Sequence, residues 1–169
     1  MADRTYNTLF ICTGNSARSI MAEALLNHWG KGKFHTYSAG SHPKAEVDPL
    51  TIELLQQMRL PTEGLRSKDW DEFAGQDAPK MDFIITVCDN AAGEACPIWP
   101  GQPITAHWGF PDPAAAEGTI DDRRKIFAKV YRAIEARVKL FCALPVEALD
   151  RMAAQSGLHQ LGQDEAVKA

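Results

Sequence analysis

The chain has 169 residues, of which 45% are hydrophobic and 24% charged, which is apolar material for one core and one domain. Its formal net charge of −4 argues against a general binder of nucleic acid or other polyanions, which carry a basic field. An anionic partner must therefore be held locally, by a loop built for it.

The chain begins Met-Ala-Asp-Arg-Thr with no long apolar stretch. Neither a signal peptide nor a membrane span is expected, and a cytoplasmic location is the default. The sequence carries no internal repeat and no low-complexity tract. Leu9 to Ile11 reads as a buried strand, and Ala17 to Trp29 as a helix with Ile20, Ala24 and Leu25 facing inward.

Between strand and helix lies Cys12-Thr13-Gly14-Asn15-Ser16-Ala17-Arg18-Ser19. A Cys followed by an Arg in such a loop lets the main chain curl so that several N–H groups face one centre, reinforced by the positive end of the helix. Gly14 permits the curl, Asn15 tolerates left-handed angles, and the Arg18 fork matches two oxygens of a tetrahedral anion. Thr13 through Ser19 are thus the expected oxyanion-binding residues, with Cys12 beneath them as a nucleophile. Holding a thiol ionised about three units below its ordinary ~8.5 takes about 4 kcal/mol. A helix dipole supplies about 0.3 to 2 kcal/mol, so the loop amides, the Ser19 hydroxyl and the Arg18 charge must supply the rest.

Phe34 to Ala39 reads as a second strand closed by Gly40. Asp48-Pro49 opens a helix carrying Leu50, Leu54, Leu55 and Met58 at helical spacing. Asp82 to Val87 is almost wholly apolar, as suits a central strand buried on both faces. Ile104 to Trp108 is a further strand. Thr119 with Asp122 resembles a capping box, followed by a stripe of Ile126, Val130, Ile134, Val138 and Phe141. Alternating strands and helices give an α/β fold: a three-layer, four-stranded parallel sheet in flavodoxin-like order 2-1-3-4, helices on both faces, and the site at the carboxyl end of the first strand. The main domain is expected over residues 1–144. Residues 145–169 form an extension with a short amphipathic piece, Val146 to Ala154, and a peripheral polar tail.

Four cysteines in a reducing compartment suit catalytic, metal-binding or buried roles better than a permanent disulfide framework. Cys88 and Cys96 are separated by small and turn-forming residues that can rearrange cheaply. Their own spacing leaves a relay of sulfurs, two inert thiols and a zinc site all open, although His107 is the sole obvious extra zinc ligand. Cys142 ends the last apolar stripe and reads as a small buried hydrophobe. Asp112 is flanked by Pro111 and Pro113, which stiffen its loop; residue chemistry alone leaves it equally an acid or a turn cap. His107 reads as the partner of a core hydrogen bond, and His28, His35, His42 and His159 carry no pattern.

These blocks resemble the low-molecular-weight protein tyrosine phosphatase superfamily, and within it the thioredoxin-coupled arsenate reductases are the closer match. The resemblance runs from about Tyr6 to Cys142: the Cys12 to Ser19 loop, Tyr37-Ser38-Ala39-Gly40, Val87-Cys88 with Cys96-Pro97, and His107-Trp108-Gly109-Phe110-Pro111-Asp112-Pro113. The last two blocks separate the reductases from the phosphatases. The resemblance implies arsenate reduction with Cys12 as nucleophile, Arg18 on the oxyanion, Asp112 as general acid, and Cys88 and Cys96 as a redox pair. Thioredoxin resets the pair, or alternatively glutaredoxin with glutathione. No metal and no cofactor beyond that thiol co-substrate are expected, and a monomer is. In tyrosine phosphatases an aromatic residue usually follows the Asp-Pro pair. Ala114-Ala115-Ala116 stands here, which speaks against an aryl phosphoester, although hydrolysis of a phosphomonoester is the alternative function and a redox sensor a third. Some reductases of the family hold potassium at positions corresponding to Asn15, Glu23 and Ser38 plus a carboxylate. Lys68 stands where that carboxylate is expected, so its ammonium is expected to replace the cation and pair with Glu23, the alternative being a solvated surface lysine.

Overall fold

The computed structural model describes residues 5–87, 103–145 and 147–151. Four parallel strands, β1 (Tyr6–Cys12), β2 (Phe34–Gly40), β3 (Phe83–Thr86) and β4 (Ile104–His107), form one sheet in the order β2-β1-β3-β4, as expected. Tyr6 to Cys12 pair in register with Phe34 to Gly40, and Thr8 to Ile11 with Phe83 to Thr86. Sequential pairing of parallel strands requires crossovers, and α1 (Arg18–Trp29) and α2 (Pro49–Gln57) supply two of them. α3 (Ile120–Cys142) is the long helix that follows β4.

The strand alternation shows that both faces are covered. Phe34 and Tyr37 of β2 differ by an odd number of residues and so point to opposite faces. Phe34 stacks on Phe141 of α3 with ring centroids 4.8 Å apart, whereas Tyr37 meets Phe73 at 5.4 Å. Phe73 belongs to a short 3-10 turn, Trp70–Phe73, which periodicity did not reveal because a single turn spans less than one apolar repeat. β1 is the centre of this sandwich: Leu9, Phe10 and Ile11 are fully buried, each contributing about 1.5 to 3 kcal/mol of transfer free energy.

The helix ends follow their local chemistry. The Asp48 carboxylate accepts from Leu50 N (2.9 Å) with Pro49 in the first turn of α2. Thr119 and Asp122 form the expected capping box, Asp122 N donating to Thr119 Oγ1 (3.1 Å) and Thr119 N to Asp122 Oδ2 (3.2 Å). Two apolar assignments need correction. Met58 caps α2 and is 41% exposed, because the helix has already ended where the spacing would have turned it inward. Ile126 is exposed, and Phe127 and Tyr131 are buried instead: the inward stripe of α3 is wider and rotated from the one traced through Ile126.

The described residues beyond 144 pack on the core. Residues 147–151 are helical, Leu149 is fully buried, and Asp150 accepts a hydrogen bond from the Tyr6 hydroxyl. Lys33 Nζ donates to the carbonyls of Cys142 (2.9 Å) and Leu144 (2.5 Å), tying the end of α3 to the start of β2. Cys142 is half-buried, and that burial pushes its thiol above the ordinary cysteine range. The polar tail expected after Ala154 lies outside the described residues, as do Cys88 and Cys96.

Candidate active site

A cavity of about 160 Å³ opens at the carboxyl end of β1. Cys12, the last residue of that strand, lies at its floor and is 2% exposed. Thr13, Gly14, Ser16, Ala17 and Arg18 form one wall, and Asp112 reaches it from the loop after β4. Asn15 and Ser19, assigned with the rest of the loop to the oxyanion and, for Ser19, also to the Cys12 thiolate, have fully buried side chains beneath that wall.

Their burial has a chemical purpose. Asn15 sits at φ +47°, in the left-handed region its short polar side chain tolerates, and its backbone N–H donates to Cys12 Sγ (3.2 Å). Its side-chain oxygen accepts from Lys68 N (2.9 Å), a group that can only donate, so its amide nitrogen must face Ser19 Oγ (2.7 Å) and Ser38 Oγ (3.0 Å). Each serine oxygen therefore receives an N–H and keeps its own hydrogen to give. Ser19 Oγ lies 2.9 Å from Cys12 Sγ, placed to donate when the sulfur is a thiolate and can only accept, and Ser38 donates to Glu23 Oε1 (2.5 Å). The Asn15 N–H and the Ser19 hydroxyl can thus both serve a Cys12 thiolate, and hydrogen bonds to the charged form favour it.

Behind this network lies a buried ion pair. Lys68, 7% exposed, places Nζ 3.8 Å from Glu23 Oε1, 2.9 Å from the Arg66 carbonyl and 3.5 Å from Ser38 Oγ. The pairing of Lys68 with Glu23 is the one anticipated from the resemblance. Burial holds the Glu23 carboxyl above the ordinary carboxylate range, with the Lys68 charge opposing that effect. Burial likewise pulls the Lys68 ammonium below its ordinary range, opposed by Glu23.

Arg18 Nη1 donates to the Phe110 carbonyl (3.0 Å), and its Nη2 lies 3.6 Å from Asp112 Oδ2. A guanidinium carries five N–H donors, so these partners fix its plane while leaving donors for an oxyanion. Asp112 takes the turn-cap role that its sequence context allowed, and it also faces Arg18. Oδ1 accepts from Ala114 N (3.0 Å), capping the turn Pro113–Ala115, while Oδ2 faces Arg18. His107, at the exposed end of β4, has Nδ1 2.8 Å from Thr86 Oγ1.

Glycine positions account for the second block of the resemblance. A Cβ on Gly40 would lie 2.5 Å from the Thr13 carbonyl oxygen, so only glycine lets β2 end against the cradle. Residues 41–48 continue along it: Ser41 N, His42 N, Lys44 N and Asp48 N donate to the carbonyls of Cys12, Thr13, Gly14 and Ser16 at 2.8–3.2 Å. This brings His42 and Lys44 to the cavity, although neither carried a motif. The topology held the signal, since loops following the carboxyl ends of adjacent parallel strands converge on one crevice.

The family model of the low molecular weight phosphotyrosine protein phosphatases matches residues 7–155. The chain belongs to that family. An arsenate reductase from Shouchella clausii is 36% identical to it over 132 residues, spanning 78% of this chain and 91% of the relative. The crystal structure of an arsenate reductase from Archaeoglobus fulgidus superposes with a TM-score of 0.61 at 31% identity, covering 81% of this chain and 99% of that one. A thioredoxin-dependent arsenate reductase from Corynebacterium glutamicum gives 0.54 at 26% identity, over 83% of this chain and 65% of the other. Among the described residues no helix is long and apolar enough to cross a membrane.

Proposed function

We propose that this family member is an arsenate reductase driven by a thiol relay. The observation that carries the reading is the Cys12 sulfur on the floor of an oxyanion-sized cavity, with the Asn15 N–H donating to it, the Ser19 hydroxyl beside it and Arg18 and Asp112 paired across the rim. The names of the relatives supply the substrate, arsenate, and the Corynebacterium neighbour supplies thioredoxin as the reductant class.

In the proposed sequence the Cys12 thiolate attacks arsenate, a sulfur–arsenic(V) bond forms, and one As–O bond breaks. The departing hydroxyl takes a proton from Asp112 and leaves as water, while Arg18 holds the remaining oxygens. The Cys88 thiolate then attacks Cys12 Sγ. The S–As bond breaks with its electron pair remaining on arsenic, which leaves as arsenite, and a Cys12–Cys88 disulfide forms. Cys96 attacks Cys88, freeing Cys12 and moving the bond to Cys88–Cys96. A dithiol of the thioredoxin class returns the two electrons.

The test couples arsenate to NADPH oxidation through thioredoxin and its reductase. Arsenate-dependent NADPH loss is expected for the wild-type chain, abolished by Cys12→Ser, with Cys96→Ser confined to one arsenite per protein. Hydrolysis of p-nitrophenyl phosphate at enzymatic rates, unaffected by Cys96→Ser and without arsenate-dependent NADPH loss, would instead establish a phosphatase.

A further inference from the structure

We infer that Lys44 is a substrate-binding residue that closes the mouth of the cradle and selects small, doubly charged tetrahedral oxyanions; the inference deepens the reading of this cavity as an arsenate site. The Lys44 stem crosses the cradle at Gly14, where a Cβ would lie 3.1–3.3 Å from its Cγ, Cδ and Cε atoms. A Cβ at Gly14 would press on that stem, so the glycine lets it lie close against the loop. Lys44 N is anchored to the Gly14 carbonyl (3.0 Å), and the next residue, Ala45, is held at φ +73°, a conformation that costs an alanine about 1 kcal/mol or more. A segment held in that strained form by its hydrogen bonds to the cradle is pre-organised, so little ordering remains for binding.

The electrostatics give the lysine its purpose. Asp112 is engaged with Arg18 and with Ala114 N, and Lys44 pairs with no carboxylate among the described residues. In a chain of net charge −4, Arg18 alone balances one charge of a dianion. Lys44, lining the same cavity, supplies a second positive charge to balance the other, a charge that an aryl group would not match. The ligand class is therefore the free inorganic dianion rather than an aryl ester.

The test uses inorganic phosphate, which binds without being reduced. Protection of Cys12 from iodoacetamide, followed by mass spectrometry of its peptide, gives a dissociation constant. Lys44→Gln is expected to need about tenfold more phosphate than wild type, the scale of one charge-assisted hydrogen bond at an open site, and to lose part of the salt dependence. Lys44→Arg is expected to restore protection, while in Lys44→Gln kcat/KM for arsenate should fall in parallel with phosphate affinity, with little change in kcat. Equal protection of wild type and Lys44→Gln would overturn the role of Lys44 while leaving the reductase reading intact. Failure of phosphate and arsenate to protect even the wild type would overturn the reading of the cavity itself.

Discussion

The orientation of a single amide, that of Asn15, decides where the hydrogens around Cys12 go. Because Lys68 N can only donate to the Asn15 oxygen (2.9 Å), both amide hydrogens serve Ser19 and Ser38, and the Ser19 hydroxyl keeps its own hydrogen for a Cys12 thiolate 2.9 Å away. Removing that hydroxyl withdraws a hydrogen bond to a charged group, worth about 1.5 to 3 kcal/mol. Ser19→Ala is therefore expected to raise the pH midpoint for alkylation of Cys12 by about one unit or more; an unchanged midpoint would mean that the serine only fills space. The placing of Cys12 and Arg18 at one cavity was legible in the sequence because a Cys and an Arg flanking a tight loop between strand and helix face one centre, whereas Asp112 was tied to the cavity only by the family resemblance. The buried placing of Asn15 and Ser19 was not legible, since facing an anion and supporting the residue that meets it call for the same small polar side chains.

At the scale of elements, Lys68 and Glu23 join α1 to the segment after α2 beneath the cradle. Breaking a buried pair from one side strands the other charge, at about 3 to 5 kcal/mol. Lys68→Met is expected to be destabilised on that scale near neutral pH, and Lys68→Met with Glu23→Gln to recover most of it, both read by urea unfolding. The sign of the pH dependence comes from the Glu23 carboxyl, whose folded value lies above the ordinary one of 4.5. The native state then binds more protons than the unfolded state above that value. Stability from this group is complete below it and is lost as pH rises through the raised folded value. In Lys68→Met, without the opposing charge, the loss should be steeper, and Glu23→Gln should flatten it. Because Lys68 supplies a positive charge inside the fold, exchange of sodium for potassium at constant ionic strength should leave wild-type activity unchanged. Strand and helix positions were readable here from apolar runs and caps, whereas the 3-10 turn at Trp70–Phe73 and the exposure of Ile126 depended on packing against neighbours that periodicity does not encode.

The whole molecule places its chemistry where parallel sheets place it, at the carboxyl ends of the strands. Cys12 comes from the end of β1, Ser38 and Gly40 from the end of β2, and Asp112 from the loop after β4. The order β2-β1-β3-β4 was legible because strands alternating with helices follow the flavodoxin-like doubly wound pattern. The convergence of residues 41–48 on the cradle was not, because a long-range backbone pairing leaves no local pattern. The relay demands that thiols distant in sequence reach one sulfur in turn, and it is tested most directly by peptide mass mapping of the Cys96→Ser variant after one arsenate turnover. One arsenite released per chain and a single disulfide joining the peptides of Cys12 and Cys88 are the expected products. Arsenite released with Cys12 still reduced, or a disulfide that omits Cys12, would contradict the relay.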